Sequence, residues 1–84
     1  MQTYKVEFEK TALKFLERQD KTQRIRLYKA IYKLPDGADI KKLQGHNLYR
    51  LRVGTYRILY CIDEVIKVIT IENIDNRGDV YKRY

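Results

Sequence analysis

The chain is poor in the residues that most cofactor, metal and disulfide chemistry requires. One cysteine, one proline, one histidine and no tryptophan occur in 84 residues. A lone Cys61 in an apolar run excludes an internal disulfide framework, fits a buried structural thiol and argues for a reducing, cytoplasmic setting. There is no Cys-x-x-Cys pair and no phosphate-cradling glycine loop, and His46 reads as a solvated loop residue. The carboxylates are scattered, which disfavours a metal-dependent nuclease, so neither metal nor cofactor is expected. No apolar run approaches the ~18 residues of a membrane span, and an alternating strand pattern follows Met1 where a signal peptide would otherwise stand. Acids are also short: 11 against 18 basic residues, a net charge of +7. That imbalance favours a polyanion or an acidic protein as partner. The length fits one domain over residues 1–84 with a single modest core.

Tyr4, Val6 and Phe8 alternate with Thr3, Lys5 and Glu7, the pattern of a strand with one buried face. Ala12, Leu13, Phe15 and Leu16 then recur at helical spacing, with Glu9 or Thr11 as the expected cap, and this first helix runs to about Gln19. Thr22 is the expected cap of a second helix, whose stripe is Ile25, Tyr28, Ile31 and Tyr32, flanked by Leu27 and Leu34. Pro35 stops it. Residues 35–46 read as a loop pinned by Ile40 and Leu43 and carrying the basic pair Lys41 and Lys42.

Residues 47–60, NLYRLRVGTYRILY, read as a β-hairpin. With Gly54 and Thr55 as a Gly-first two-residue turn, Val53 lies opposite Tyr56, Leu51 opposite Ile58 and Tyr49 opposite Tyr60. The other face then carries Arg50, Arg52 and Arg57, with Arg52 directly across from Arg57. Like charges so placed are destabilising by roughly 0.2 to 1 kcal/mol, so the arrangement points to an anion site. After a turn at Asp63 and Glu64, residues 65–71, VIKVITI, suit a central strand. A tight turn there would set Ile58 across from Ile69 and Arg57 across from Thr70. Leu48, Leu59, Cys61, Ile66 and Val68 fall on the arginine side and need covering by the C-terminal segment or a partner.

The order predicts an α+β domain, β-α-α-β-β-β, with two N-terminal helices packed on one face of a mainly antiparallel sheet. Arginine suits two-point contact with phosphate, and a tyrosine can stack on a base or exchange a proton. Tyr4, Tyr28, Tyr49, Tyr56 and Tyr60 occupy core-facing positions. Tyr81 does not, and with Arg77 and Lys82 it belongs to a polar terminal segment able to return beside the arginines.

Three segments, FEKTALKFLERQD, IKKLQGHNLYRLRVGTYRILY and NRGDVYK, resemble the RelE/ParE superfamily of toxins from type II toxin–antitoxin modules. The resemblance covers nearly the whole chain and is most specific in its middle block. It implies a RelE-like two-layer fold and, in the RelE-like branch, a metal-independent endoribonuclease (mRNA interferase) cleaving messenger RNA on the ribosome. A RelB-like antitoxin that silences the toxin in a hetero-oligomer is implied with it. For the ParE-like branch it implies poisoning of DNA gyrase, and a non-catalytic RNA-binding module is a third reading. Carried over by position, Arg50 and Arg52 match the paired basic residues before the hairpin turn. Arg57 matches an arginine implied to contact the scissile phosphate, and Arg77 and Tyr81 match the terminal motif. Asn76 departs from relatives that carry histidine or lysine there, leaving Tyr81 as the candidate base. The expected site is therefore Arg52, Arg57, Arg77 and Tyr81 for catalysis, with Arg50, Arg52, Lys41, Lys42 and Lys82 for substrate.

Overall fold

The computed structural model describes residues 4–37, 39–43 and 47–76. The expected strand start at Thr3, the loop residue His46, and Arg77, Tyr81 and Lys82 lie outside the described residues. Strand β1 (Lys5–Phe8) leads into helices α1 (Lys10–Glu17) and α2 (Lys21–Ile31). Strands β2 (Ile40–Leu43), β3 (Leu48–Val53), β4 (Tyr56–Asp63) and β5 (Val68–Asp75) follow. They form a five-stranded sheet in the order β1-β5-β4-β3-β2. Every pairing is antiparallel except β1 with β5, as expected of two strands whose connection includes helices.

Both helices pack their apolar sides on one face of the sheet. Ala12 and Leu16 of α1, Leu27 and Ile31 of α2, and Leu34 meet Leu51, Tyr56, Ile58, Tyr60, Ile69, Ile71 and Ile74 in one core. Four fully buried residues from the helical half, Leu16, Leu27, Ile31 and Leu34, contribute on the order of 1.5 to 3 kcal/mol each, the main return on ordering these elements. The stripe on α2 is rotated from the expected one: Leu27 and Ile31 are buried, whereas Ile25 and Tyr32 are exposed. The helix caps also differ. Asp20, not Thr22, is the N-cap of α2 and accepts from Gln23 N–H at 2.9 Å. Glu9 caps α1 without a side-chain bond, and Thr11 donates instead to the Glu72 carbonyl at 3.0 Å.

Two further differences bear on the site. Residues 40–43, expected as loop, form the edge strand β2, in register Ile40 with Leu51 and Lys41 with Arg50. Four residues with two adjacent lysines carry no clear alternation, so pairing with β3 sets the conformation where local pattern does not. The β4–β5 turn lies later in the chain than expected: β4 continues to Asp63, and Val65 and Ile66 are exposed in the turn. Ile58 accordingly faces Ile74, not Ile69, and Arg57 faces Asp75, not Thr70. Asp63 holds the turn by accepting from the N–H groups of Val65 and Ile66 at 3.0 and 3.2 Å.

The register shifts by one residue between Leu59 and Tyr60, leaving Glu72 as a bulge on β5. One extra residue moves the side chains beyond it to the other face. Without it Ile74 would stand opposite Arg57. With it Ile74 joins the core, and Asn73 and Asp75 come opposite Leu59 and Arg57.

Candidate active site

The hairpin forms in the expected register: Val53 with Tyr56, Leu51 with Ile58, Tyr49 with Tyr60 and Arg52 with Arg57. Gly54 has φ 60°, and Thr55 is not among the residues with positive φ, which is the Gly-first turn whose twist matches a hairpin. Leu51, Tyr56, Ile58 and Tyr60 go to the helices, and the intervening residues point to the opposite face. That face therefore gathers Arg50 and Arg52 from β3, Arg57 from β4 and, directly across from Arg50, Lys41 from β2. Lys42 is not part of it. Paired with Tyr49, its ammonium lies 5.9 Å from that ring's centre, on the helix side of the sheet.

Two carboxylates organise these cations. Asp39, just before β2, accepts from Arg50 Nη2 at 2.9 Å, and its second oxygen lies 3.9 Å from Arg52 Nε. Its backbone carbonyl also accepts from Arg52 N–H at 3.2 Å. Arg50 is thereby held flat, its side chain only 13% exposed against 40% for Arg52. Asp75, 6% exposed, stands across from Arg57. The Nε atoms of both Arg50 and Arg57 are buried with no hydrogen-bond partner among the described residues. An unfilled buried donor costs roughly 1 to 3 kcal/mol. Among the described residues, neither of these two donors on the arginine face meets an acceptor.

The floor of this face is apolar. Leu59 is fully buried and Leu48 nearly so, packed with Leu43 and Cys61. The apolar surface expected to need a partner is thus closed at Leu48 and Leu59 by this chain itself, while Ile66 remains exposed in the turn. Burial, and then Glu72, pushes the Cys61 thiol up to about 11, so it carries no thiolate at neutral pH. Among the described residues no three His, Cys, Asp or Glu side chains are grouped to hold a metal ion, and no helix is long and apolar enough to cross a membrane.

The structure brings Lys41, Arg50, Arg52 and Arg57 together, and Arg77, Tyr81 and Lys82 lie outside the described residues. Asn76 is described and exposed at the end of β5, one residue past Asp75. Asp39 and Asp75 were not foreseen. Asp75 reaches Arg57 only through the bulge at Glu72, which has no sequence signature, and Asp39 is an ordinary loop acid until β2 forms.

A five-stranded, mostly antiparallel sheet with two helices packed on one face is the fold of solved RelE structures. A RelE–RelB complex from Pyrococcus horikoshii OT3 superposes with a TM-score of 0.75 at 32% identity, over 90% of this chain and 97% of that one. A RelB–RelE complex from Methanococcus jannaschii gives 0.73 at 30% identity, over 93% and 98%. The intact E. coli RelBE complex, 22% identical, shares the fold, with a TM-score of 0.76 over 90% and 99%. Toxin RelG of Mycobacterium tuberculosis (strain ATCC 25618 / H37Rv) is 43% identical over 35 residues, which is 42% of this chain and 40% of RelG. The family described as the ParE toxin of type II toxin-antitoxin system, parDE, matches residues 6–81. The chain belongs to the RelE/ParE superfamily of type II toxin–antitoxin toxins.

Proposed function

We propose that this toxin is a metal-independent endoribonuclease that cleaves messenger RNA on the ribosome. A ribose 2′-oxygen attacks the adjacent phosphorus and the 5′-oxygen departs, leaving a 2′,3′-cyclic phosphate and a 5′-hydroxyl. The reaction needs alignment, stabilisation of charge growing on the phosphate oxygens, and proton transfer at the attacking and leaving oxygens. One observation carries the reading: Arg57, next to the hairpin turn and held between core-anchored Tyr56 and Ile58, stands directly opposite Arg52, so two guanidinium groups share one patch. A guanidinium fixed in this way meets a phosphate in two-point contact without first having to be ordered. Arg50, Arg52 and Lys41 then hold the strand on either side. Arg77 is a further phosphate contact, and Lys82 a further substrate contact. Tyr81 is the candidate base.

The Pyrococcus horikoshii and Methanococcus jannaschii relatives are complexes with RelB. A RelB-like antitoxin is accordingly the proposed silencing partner of this toxin, in a cytoplasmic hetero-oligomer, and the +7 charge suits an acidic one. Because the matching family is described as ParE, gyrase poisoning is the second reading. A cell-free translation reaction, followed by primer extension on the message, run beside a gyrase supercoiling assay, separates the two. New 5′ ends within codons and unimpaired gyrase support the ribonuclease. Intact message with inhibited gyrase rejects it.

A further inference from the structure

Strand β1 covers the outer edge of β5 only as far as Ile71, whose carbonyl accepts from Glu9 N–H at 2.9 Å. Beyond that point α1 borders the edge, anchored by the Thr11 hydroxyl on the Glu72 carbonyl at the bulge. Lys14 and Phe15 of α1 and Arg18 at its C-cap, with Asn73 and Asn76 of the β5 end, line a cavity of about 400 Å3. That size lies within the roughly 300 to 1,000 Å3 usual for small-ligand sites.

The lining has a specific chemistry. Lys14 and Arg18 are like charges at i,i+4, an arrangement that costs an isolated helix roughly 0.2 to 0.5 kcal/mol. Both are exposed, and among the described residues no carboxylate forms an ion pair with either. Two amide side chains stand across from these cations; Asn73 Oδ1 already accepts from Ile74 N–H at 2.9 Å, which leaves its N–H groups as donors, and Asn76 offers a donor and an acceptor in one plane. Phe15, its ring fixed edge-on against Tyr56 at 5.9 Å, supplies an apolar wall. Cations for a phosphate, coplanar donor and acceptor for a base edge, and a ring for the base plane together match one nucleotide.

The cavity is also placed to continue the arginine face. Asp75, on its wall, is the residue directly opposite Arg57. From this juxtaposition we infer that the cavity between α1 and the end of β5 binds the nucleotide next to the scissile bond. Its phosphate lies on Lys14 and Arg18, and its base lies against Phe15 and the amides of Asn73 and Asn76. The inference deepens the proposed ribonuclease reading and rests on it.

The test compares non-cleavable 2′-methoxy dinucleotides and trinucleotides by calorimetric titration, on the parent and on the double variant Lys14→Ala/Arg18→Ala. The parent is expected to bind the trinucleotide about tenfold tighter, the value of one charge-assisted phosphate contact. The double variant is expected to lose that gain, and Lys14→Arg to keep it. Arg57→Ala is expected to weaken both lengths alike. Titration with adenosine 5′-monophosphate should shift the side-chain amide resonances of Asn73 and Asn76. A length gain that survives in the double variant, with messenger cleavage intact in the parent, overturns the subsite and leaves the ribonuclease standing. Failure of the parent to cleave message or bind either oligonucleotide overturns both. Loss of antitoxin binding by the double variant, with oligonucleotide affinities unchanged, assigns the cavity to a protein partner and overturns the inference.

Discussion

Asp39 holds Arg50 through a 2.9 Å contact and reaches toward Arg52 with its other oxygen, so one carboxylate spans the two β3 arginines that face the candidate substrate. With its side chain 49% exposed, the acid contributes at most about 1 kcal/mol to stability. Its larger effect is electrostatic: a negative charge stands where a phosphate would be attracted. Asp39 has φ 57°, which asparagine tolerates as well as aspartate does. Asp39→Asn should therefore leave the melting temperature within a few degrees of the parent and tighten oligonucleotide binding about fivefold at low salt, an effect of about 1 kcal/mol. Equal affinities at 50 mM salt would remove Asp39 from the binding account.

Leu59 should matter as much to stability as any residue of the main core, although it lies on the opposite face. It is fully buried between Arg50 of β3 and Asn73 of β5. Leu59→Ala is expected to cost about 2 to 5 kcal/mol in denaturant unfolding. A cost below 1 kcal/mol would mean that the second cluster contributes little.

Gly54 is required by its backbone rather than by its neighbour. A methyl group there would lie 2.6 Å from Arg26 Nη2, but that is the end of a flexible side chain able to swing away. The φ of 60° is the lasting cost, roughly 1 to 2 kcal/mol for a residue with a Cβ. Gly54→Ala should destabilise by that amount, and adding Arg26→Ala should not restore the loss. Full restoration would show that contact, not conformation, selects glycine.

Alkaline stability should follow Tyr60. Burial, with Tyr49 beside it, pushes its hydroxyl from 10.0 up to about 12. Its contribution is fully present below about pH 10, where neither folded nor unfolded chain is ionised. As pH rises from 10 the unfolded chain ionises first, so stability falls until the folded-state value near 12 is passed. Unfolding free energies measured from pH 9 to 12 should decline less steeply in Tyr60→Phe than in the parent. The same slope in both would contradict this.

The hairpin was legible because turn, alternation and charge agree: Gly54 fixes the turn, and the period of two then places Arg50, Arg52 and Arg57 without further information. The helices were legible as helices, though not to the residue, because Leu27 and Ile25 are equally apolar and only tertiary packing decides which is buried. Strand β2 was hidden, since KK within IKKL breaks alternation and its conformation comes from pairing with β3. The bulge at Glu72 was invisible, and with it the approach of Asp75 to Arg57. Lys14 and Arg18 were readable as like charges one helical turn apart, but their partners on β5 emerge only when the chain folds.

The central claim is that Arg57 acts on the transition state rather than only holding substrate. Single-turnover cleavage on programmed ribosomes, measured for the parent and for Arg57→Ala, tests it directly. The account predicts a rate lower by on the order of 10² to 10³ with substrate affinity much less affected, as for loss of one preorganised donor. Cleavage by Arg57→Ala at the parent's rate would contradict it.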